Sequence, residues 1–241
     1  MDRLIYIAAA GAQALLSRQD VLAGNLANVS TPGFRAELQA LRAVPVRGDG
    51  ASTRVYALET TVGYDARPGP VASTGRALDV AVQGNSWLAV QSLDGSEAYT
   101  RNGALQLDAQ GQLVTASGLP VAGSGGPITV PANASVDIAA DGSIAATVAG
   151  QRPQVVGRLK LVTPEAPLER GADGLFRAAD GELDVDPQAR VQGAALEGSN
   201  VSPIESMIGM IAAARQFEQQ IKALQGAEQR DQSAAKLLSA T

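Results

Sequence analysis

Between Leu78 and about Val191 the chain breaks into short apolar runs separated by turn dipeptides, and this restricts the possible folds more than any other feature. Val80-Ala-Val82 and Trp87-Leu-Ala-Val-Gln91 precede Asp94-Gly95. Ala98-Tyr-Thr-Arg101 meets Asn102-Gly103, and Gln112-Leu-Val-Thr115 follows Gln110-Gly111. Val136-Asp-Ile138 leads into Asp141-Gly142, then Ser143-Ile144 and the run from Val155 to Val162. Asn-Gly and Asp-Gly favour tight hairpins because those turns need positive φ. Parallel neighbours would require long crossovers, and no helical pattern lies between these runs. An antiparallel all-β insert, barrel- or sandwich-like, is expected. Aromatic residues are only 3% of the chain, so its core must be built from small aliphatic side chains.

Both ends of the chain have a different period. From Leu4 to Val29, positions 4, 8, 11, 15, 18, 22, 25 and 29 carry Leu, Ala, Gly, Leu, Arg, Leu, Asn and Val. Their alternating steps of four and three define a heptad seam. Ala8 and Gly11 let another helix approach closely, while a polar Asn25 fixes register at a cost in stability. The pattern stops at Leu22-Ala-Gly-Asn-Leu-Ala-Asn-Val-Ser-Thr-Pro-Gly-Phe-Arg35. Asn28, Pro32 and Gly33 are its stop signals, since Asn enters the left-handed region cheaply and Pro cannot continue a helix.

The helical period returns at Ser202-Pro203-Ile204-Glu205, which reads as a capping box with Pro at the first helical position. The Ser202 oxygen is expected to accept from the third residue's amide, and Glu205 to reach back to the cap amide. A stripe of Ile204, Ile208, Ile211, Ala214, Phe217, Ile221 and Leu224 follows, with Met207 and Met210 beside it. Two terminal helices around a β-insert, with no third helix to complete a bundle, predict a coiled coil completed by other subunits. The expected fold is therefore α+β: long N- and C-terminal α-helices as a coiled-coil-like core, flanking the antiparallel barrel- or sandwich-like insert. The expected assembly interface is Leu4, Ala8, Gly11, Leu15, Leu22, Asn25, Leu26, Asn28, Val29, Ile204, Met207, Ile208, Ile211, Ala214, Phe217, Ile221 and Leu224.

The expected divisions are 1–34 for the first helix and its junction, 35–75 for an extended connector, 76–195 for the β-domain and 196–241 for the second helix. Pro45, Asp49-Gly50, Pro68-Gly69 and Pro70 punctuate the connector, in which Val55-Tyr-Ala-Leu58 and Thr60-Thr-Val62 could form short strands.

Composition closes off several chemistries. The chain has no Cys and no His, which excludes a disulfide framework, thiol or imidazole zinc sites, and Ser-His-Asp or Cys-His catalysis. With a net charge of −5 and no basic block, nucleic acid is not an expected partner. The apolar run Leu4–Leu16 imitates a signal-peptide core, but Asp2 offsets Arg3, Gln13 interrupts it, and the helical pattern continues past it. The run is too short to span a bilayer. It also lacks the basic face of a surface-binding helix.

No phosphate loop, dinucleotide fingerprint, nucleophile elbow or zinc-protease motif occurs. Asp184 and Asp186 could be offered as a hydrolytic carboxylate pair, but a solvated strand edge explains them better. Asp173-Gly174 and Asp180-Gly181 are too sparse in acids for a calcium loop. Three Asn-x-Ser sequons, at Asn28, Asn133 and Asn200, are set aside, two of them because they lie at helix boundaries where capping accounts for them. No catalytic residue, metal or cofactor is expected.

Ala23-Gly-Asn-Leu-Ala-Asn-Val-Ser-Thr-Pro-Gly-Phe34 resembles the rod signature of the bacterial flagellar rod and hook family, with Gly24 in place of the usual Asn. Glu197-Gly-Ser-Asn-Val-Ser-Pro-Ile-Glu-Ser-Met-Ile208 and Arg215-Gln-Phe-Glu218 resemble its C-terminal motif. Leu78-Asp-Val-Ala-Val-Gln-Gly84 and Tyr99-Thr-Arg-Asn-Gly103 are similar to its β-domain landmarks, whereas Gly84-Asn-Ser-Trp-Leu departs from the usual pattern. The opening Met1-Asp-Arg-Leu-Ile-Tyr-Ile-Ala8 looks like the proximal-rod members, with the distal-rod members second. The resemblance implies a structural subunit of the flagellar drive shaft, assembled helically with itself and other rod proteins, its terminal helices forming an inner tube. It further implies passage through the flagellar type III export apparatus without a cleaved signal peptide, and residence in the periplasmic basal body.

Overall fold

The computed structural model describes residues 4–45, 55–179 and 181–239. Two α-helices, α1 (Leu4–Ala27) and α2 (Pro203–Ser239), stand at the ends, and short antiparallel strands fill the chain between them. The chain forms two compact units. The first comprises residues 1–29, 36–65 and 201–241; the second comprises residues 30–35 and 66–200.

In the first unit α1 and α2 pack against each other. Gly11 lies against Gln220 and Gly209 against Leu22, so the pair runs antiparallel. Apart from Asn25, its buried positions are small: Ala8, Ala12 and Ala14 on α1, and Ser206, Ala213 and Ala227 on α2. Small side chains let the backbones approach closely and fill the interface without large apolar knobs. The 35–75 stretch contributes a long hairpin to this unit, Glu37–Pro45 paired with Val55–Tyr64, with a bulge between Leu38 and Ala40. Both strands pack on α1. Asp49-Gly50 lies outside the described residues.

In the second unit the widest sheet has five antiparallel strands, ordered Leu161–Val162, Trp87–Gln91, Glu97–Thr100, Phe176–Arg177 and Glu169–Arg170. A three-stranded meander joins Ser135–Ile138, Ser143–Thr147 and Gln154–Arg158. Leu105–Leu107 pairs with Leu113–Thr115. The stretch Val191–Glu197 pairs first with Val80–Val82 and then, past Ala194 at φ 51°, with Val71–Ser73. One aliphatic cluster runs through the unit, with Val80, Leu88, Val90, Leu105, Leu113, Ile144, Leu159 and Val191 among its members.

Two parts of the expected architecture are corrected. The helices are not long coiled-coil flanks, because α1 packs its small-residue face on α2 of the same chain. The β-region is not a closed barrel, because its strands divide into several small sheets. Closure requires strands long enough to keep a continuous stagger, and most strands here have two to five residues.

The local turn chemistry is only partly as expected. Asp94-Gly95, Gln110-Gly111 and Asp141-Gly142 each join two paired strands, and their glycines have φ of 82°, 78° and 82°. Asn102-Gly103 does not, since the strands on either side of it pair elsewhere. Gly103 is there for close approach: a Cβ would fall 1.8 Å from the Val80 carbonyl oxygen. Asn28 follows the end of α1, as a stop signal should, but without a left-handed backbone. Its side chain donates to the Gly24 carbonyl at 2.9 Å and closes the last turn of α1 with a side-chain bond. Gly33, at φ 69°, takes the positive-φ position at the junction.

Candidate functional site

The junction Ser30–Arg35 belongs to the β-rich second unit, where three distant stretches of sequence meet at one carboxylate. The Glu197 side chain is fully buried at the end of the Ala195–Glu197 strand. Arg35 Nη1 lies 2.6 Å from its Oε1, and Arg101 Nε and Nη2 lie 2.7 and 2.5 Å from its Oε2. Both arginine side chains are 3% exposed. The Gly69 amide also donates to Oε1, at 2.9 Å.

Arg101 uses all its donors. Beyond the carboxylate it bonds the carbonyls of Val82 at 2.8 Å, Gly84 at 3.0 Å and Ser86. Burial lowers its pKa and Arg35 lowers it further, while Glu197 pulls it back up. Arg35 is less well served. Its Nη1 meets the carboxylate as an ion pair, and its Nε has no hydrogen-bond partner among the described residues.

The backbone around this triad is equally constrained. The Gly33 amide donates to the Glu197 carbonyl at 2.8 Å. A Cβ at Gly33 would fall 2.3 Å from the Arg101 carbonyl carbon, so close approach and φ both require glycine. The Arg170 guanidinium stacks 4.6 Å above the Phe34 ring and donates to the Arg35 carbonyl at 3.3 Å. The arrangement offers no reacting group, since the carboxylate is shielded from solvent and saturated by donors. It is a structural clasp. Arg35, Arg101 and Glu197 all stood in recognisable motifs, but sequence reasoning missed their meeting. The available signal was a charge in each of three otherwise weakly charged blocks.

The expected assembly residues divide by helix. On α1, Ala8 and Asn25 are buried, Gly11, Leu15, Leu22 and Leu26 are half-buried, and the Leu4 side chain lies outside the described residues. Asn28 and Val29, just past the helix, are half-buried. Asn25 does not act as a polar seam position. Its amide pairs with the Glu37 backbone, Nδ2 to the carbonyl at 2.9 Å and Oδ1 from the amide at 2.8 Å, so it anchors the first hairpin strand.

On α2 the stripe divides in two. Phe217, Ile221 and Leu224 are half-buried, whereas Ile204, Met207, Ile208 and Ile211 are 69%, 50%, 61% and 55% exposed, followed by exposed Ala214. Their i, i+3, i+4, i+7 spacing puts these four on one helical face. Ser202 caps the helix, its Oγ accepting from the Glu205 amide at 3.3 Å.

A shallow cavity of about 220 Å³ lies in the second unit between Val90, Pro120, Val121 and Pro127. Small-molecule sites usually hold about 300–1,000 Å³. Asp186 is occupied by Thr163 and the Gln188 amide. Among the described residues no acidic cluster is placed to hold a metal ion, and no helix is long and apolar enough to cross a membrane. Asp180 lies outside the described residues.

Comparison with known proteins covers both ends and the middle. A family model described as flagella basal body rod protein matches residues 5–35. The flagellar hook protein FlgE/F/G D1 domain matches 81–146, and the flagellar basal body rod FlgEFG protein C-terminal model matches 192–237. Arg35, Arg101 and Glu197 thus fall one in each matched segment. The chain is 49% identical over 250 residues to the flagellar basal-body rod protein FlgF of Salmonella typhimurium and, equally, to that of Escherichia coli, covering 99% of both chains in each case. It is 32% identical over 262 residues to the rod protein FlgG of Buchnera aphidicola from Acyrthosiphon pisum, covering 97% of this chain and 98% of that one.

Proposed function

The chain belongs to the flagellar basal-body rod and hook family, and from that premise we propose that it is a structural subunit of the flagellar rod that builds into the shaft through the exposed face of α2. It is a structural component and not an enzyme. The observation that carries the assembly reading is the row Ile204, Met207, Ile208 and Ile211, which stays open to solvent after α1 has covered the opposite side of the helix. A contiguous apolar row on an otherwise polar helix marks an interaction surface. Burying it against neighbouring subunits contributes on the order of 25 cal/mol for each Å² of apolar surface removed from water.

The finer reading puts the subunit in the proximal part of the rod, beside other rod proteins and copies of itself. Its 49% identity to FlgF supports that position over a distal one, for which the FlgG relationship is 32%. The subunit reaches the periplasmic side through the flagellar type III apparatus, and the shaft carries torque through many such subunits. Ala8, Gly11, Leu15, Leu22, Leu26 and Val29 act in this reading by holding α1 on α2 or beside it, so that the α2 row is presented outward.

The test is complementation of a non-motile strain that lacks its own copy. The unaltered chain is expected to restore swimming and to be found in purified basal bodies. Restored swimming with the chain absent from those basal bodies would refute the proposal.

A further inference from the structure

Glu197 holds a place that stabilisation alone does not explain. The chain passes between its two compact units four times, at residues 29–30, 35–36, 65–66 and 200–201. Any load carried along the backbone into the second unit therefore enters it through residues 30–35, the stretch just after 65, or the stretch ending at 200. These three entry segments are tied to one another. The Asn200 amide donates to the Phe34 carbonyl at 3.3 Å, Asn200 Nδ2 to the Arg67 carbonyl at 2.8 Å, and the Gly198 amide to the Pro70 carbonyl at 2.8 Å. The Glu197 carboxylate joins them at the centre. It takes Arg35 from the first segment and Gly69 from the second, and through Arg101 it reaches the carbonyls of Val82, Gly84 and Ser86.

We infer that Glu197 is a positioning residue which clamps the three entry segments into one rigid base, so that load reaches the β-rich unit through a single block and not through separate tethers. This rests on the rod reading above and adds to it the element that makes the subunit stiff. The chemical nature of the clamp supports the inference. A buried Arg–Glu–Arg cluster adds little net stability over well-packed apolar side chains of similar volume. A carboxylate held by directional charge-assisted bonds does fix angle and register, which an apolar filling does not. A glycine at 69 suits the same geometry, since a Cβ there would lie 2.1 Å from the Gly198 carbonyl oxygen.

The experiment compares the full chain with two variants, the apolar triple Arg35→Met, Arg101→Met, Glu197→Leu and the single Glu197→Gln. Amide exchange is followed at Gly33, Gly69 and Asn200 against the core amides of Leu88 and Val90, and rotation under high load is followed in complemented cells. The triple variant also strips the Val82, Gly84 and Ser86 carbonyls and the Gly69 amide of their partners, so it is expected to melt below the parent. The clamp predicts that Gly33 and Asn200, whose own acceptors are untouched, exchange about tenfold faster as well, with the core amides unchanged. Its basal bodies should contain the variant and turn more slowly under high load. Parent-like exchange at Gly33 and Asn200, or parent-like rotation under load, would overturn the inference. If the triple variant does not fold, Glu197→Gln decides, because it keeps the shape and an acceptor oxygen for Gly69 while it loses the charge and turns the other oxygen into a donor facing a guanidinium. Faster exchange confined to the entry segments supports the clamp, and parent-like exchange contradicts it. Absence of the unaltered chain from basal bodies would instead refute the rod reading, and the exchange result would then stand apart from it.

Discussion

Arg35 and Glu197, one from each end of the chain, meet as a buried ion pair at 2.6 Å, and Arg101 closes on the same carboxylate from the other side. Truncating the shared partner leaves two buried cations with nothing between them. Glu197→Ala should therefore cost roughly 3–5 kcal/mol, the range for breaking a buried pair from one side. Urea unfolding of the full chain measures it, and a loss below about 1 kcal/mol, the scale of a surface pair, would contradict the clasp.

Two glycines in the same signature should respond in opposite ways. At Gly33 a methyl group meets the Arg101 backbone and φ is positive, so Gly33→Ala should lower the melting temperature sharply. Gly24 lies inside α1 with nothing within 4 Å of an added Cβ. There Gly24→Ala should stabilise by about 0.5–1 kcal/mol. Matching shifts of one sign in both variants would contradict the assignment.

Asn25 holds the start of the hairpin by imitating a strand partner with its side-chain amide. Asn25→Leu removes both bonds and leaves the Glu37 amide without its acceptor. Faster hydrogen exchange at Glu37 is expected, with a cost of about 1–3 kcal/mol. An unchanged Glu37 amide would show that the hairpin is held by other contacts.

Acid should weaken the second unit in part through Asp79 and Asp173. Burial pushes Asp79 up, but bonds from Arg76 and Thr74 outweigh it and hold the carboxyl low. The Arg177 hydrogen bond does the same for Asp173. Both folded values lie below the ordinary 3.8, so the unfolded chain takes up these protons first on acidification. Their stabilisation is whole above that value and is lost as the pH falls below it, through the folded values. Melting temperatures between about pH 6 and pH 2 should fall less steeply in Asp79→Asn than in the parent. Parallel curves would contradict this.

Local features were legible in the sequence, and meetings between distant segments were not. The turns at Asp94-Gly95, Gln110-Gly111 and Asp141-Gly142, and the Ser202 cap, follow from chemistry held within a few residues. Asn102-Gly103 carries the same local signal for a different reason, because Gly103 answers to Val80 and not to a hairpin. The packing of α1 on α2 was half legible: Ala8 and Gly11 marked a face open to close helix contact, but Ser206 and Ala213 of α2 do not stand out in an apolar pattern. The strand Glu37–Pro45 was hidden by its exposed residues and by the lack of alternation. The clasp was hidden most deeply: Arg35, Arg101 and Glu197 have no sequence neighbours in common, and a charged residue ordinarily reads as surface.

The most direct test of the assembly account places a photo-crosslinking residue at Ile208 in motile cells and identifies its adducts in purified basal bodies. Adducts with rod proteins, or with another copy of this chain, are predicted, together with loss of motility and little loss of monomer stability in Ile208→Asp. Basal bodies that contain the chain but yield no adduct from position 208, with normal swimming in Ile208→Asp, would contradict the claim that this face of α2 builds the shaft.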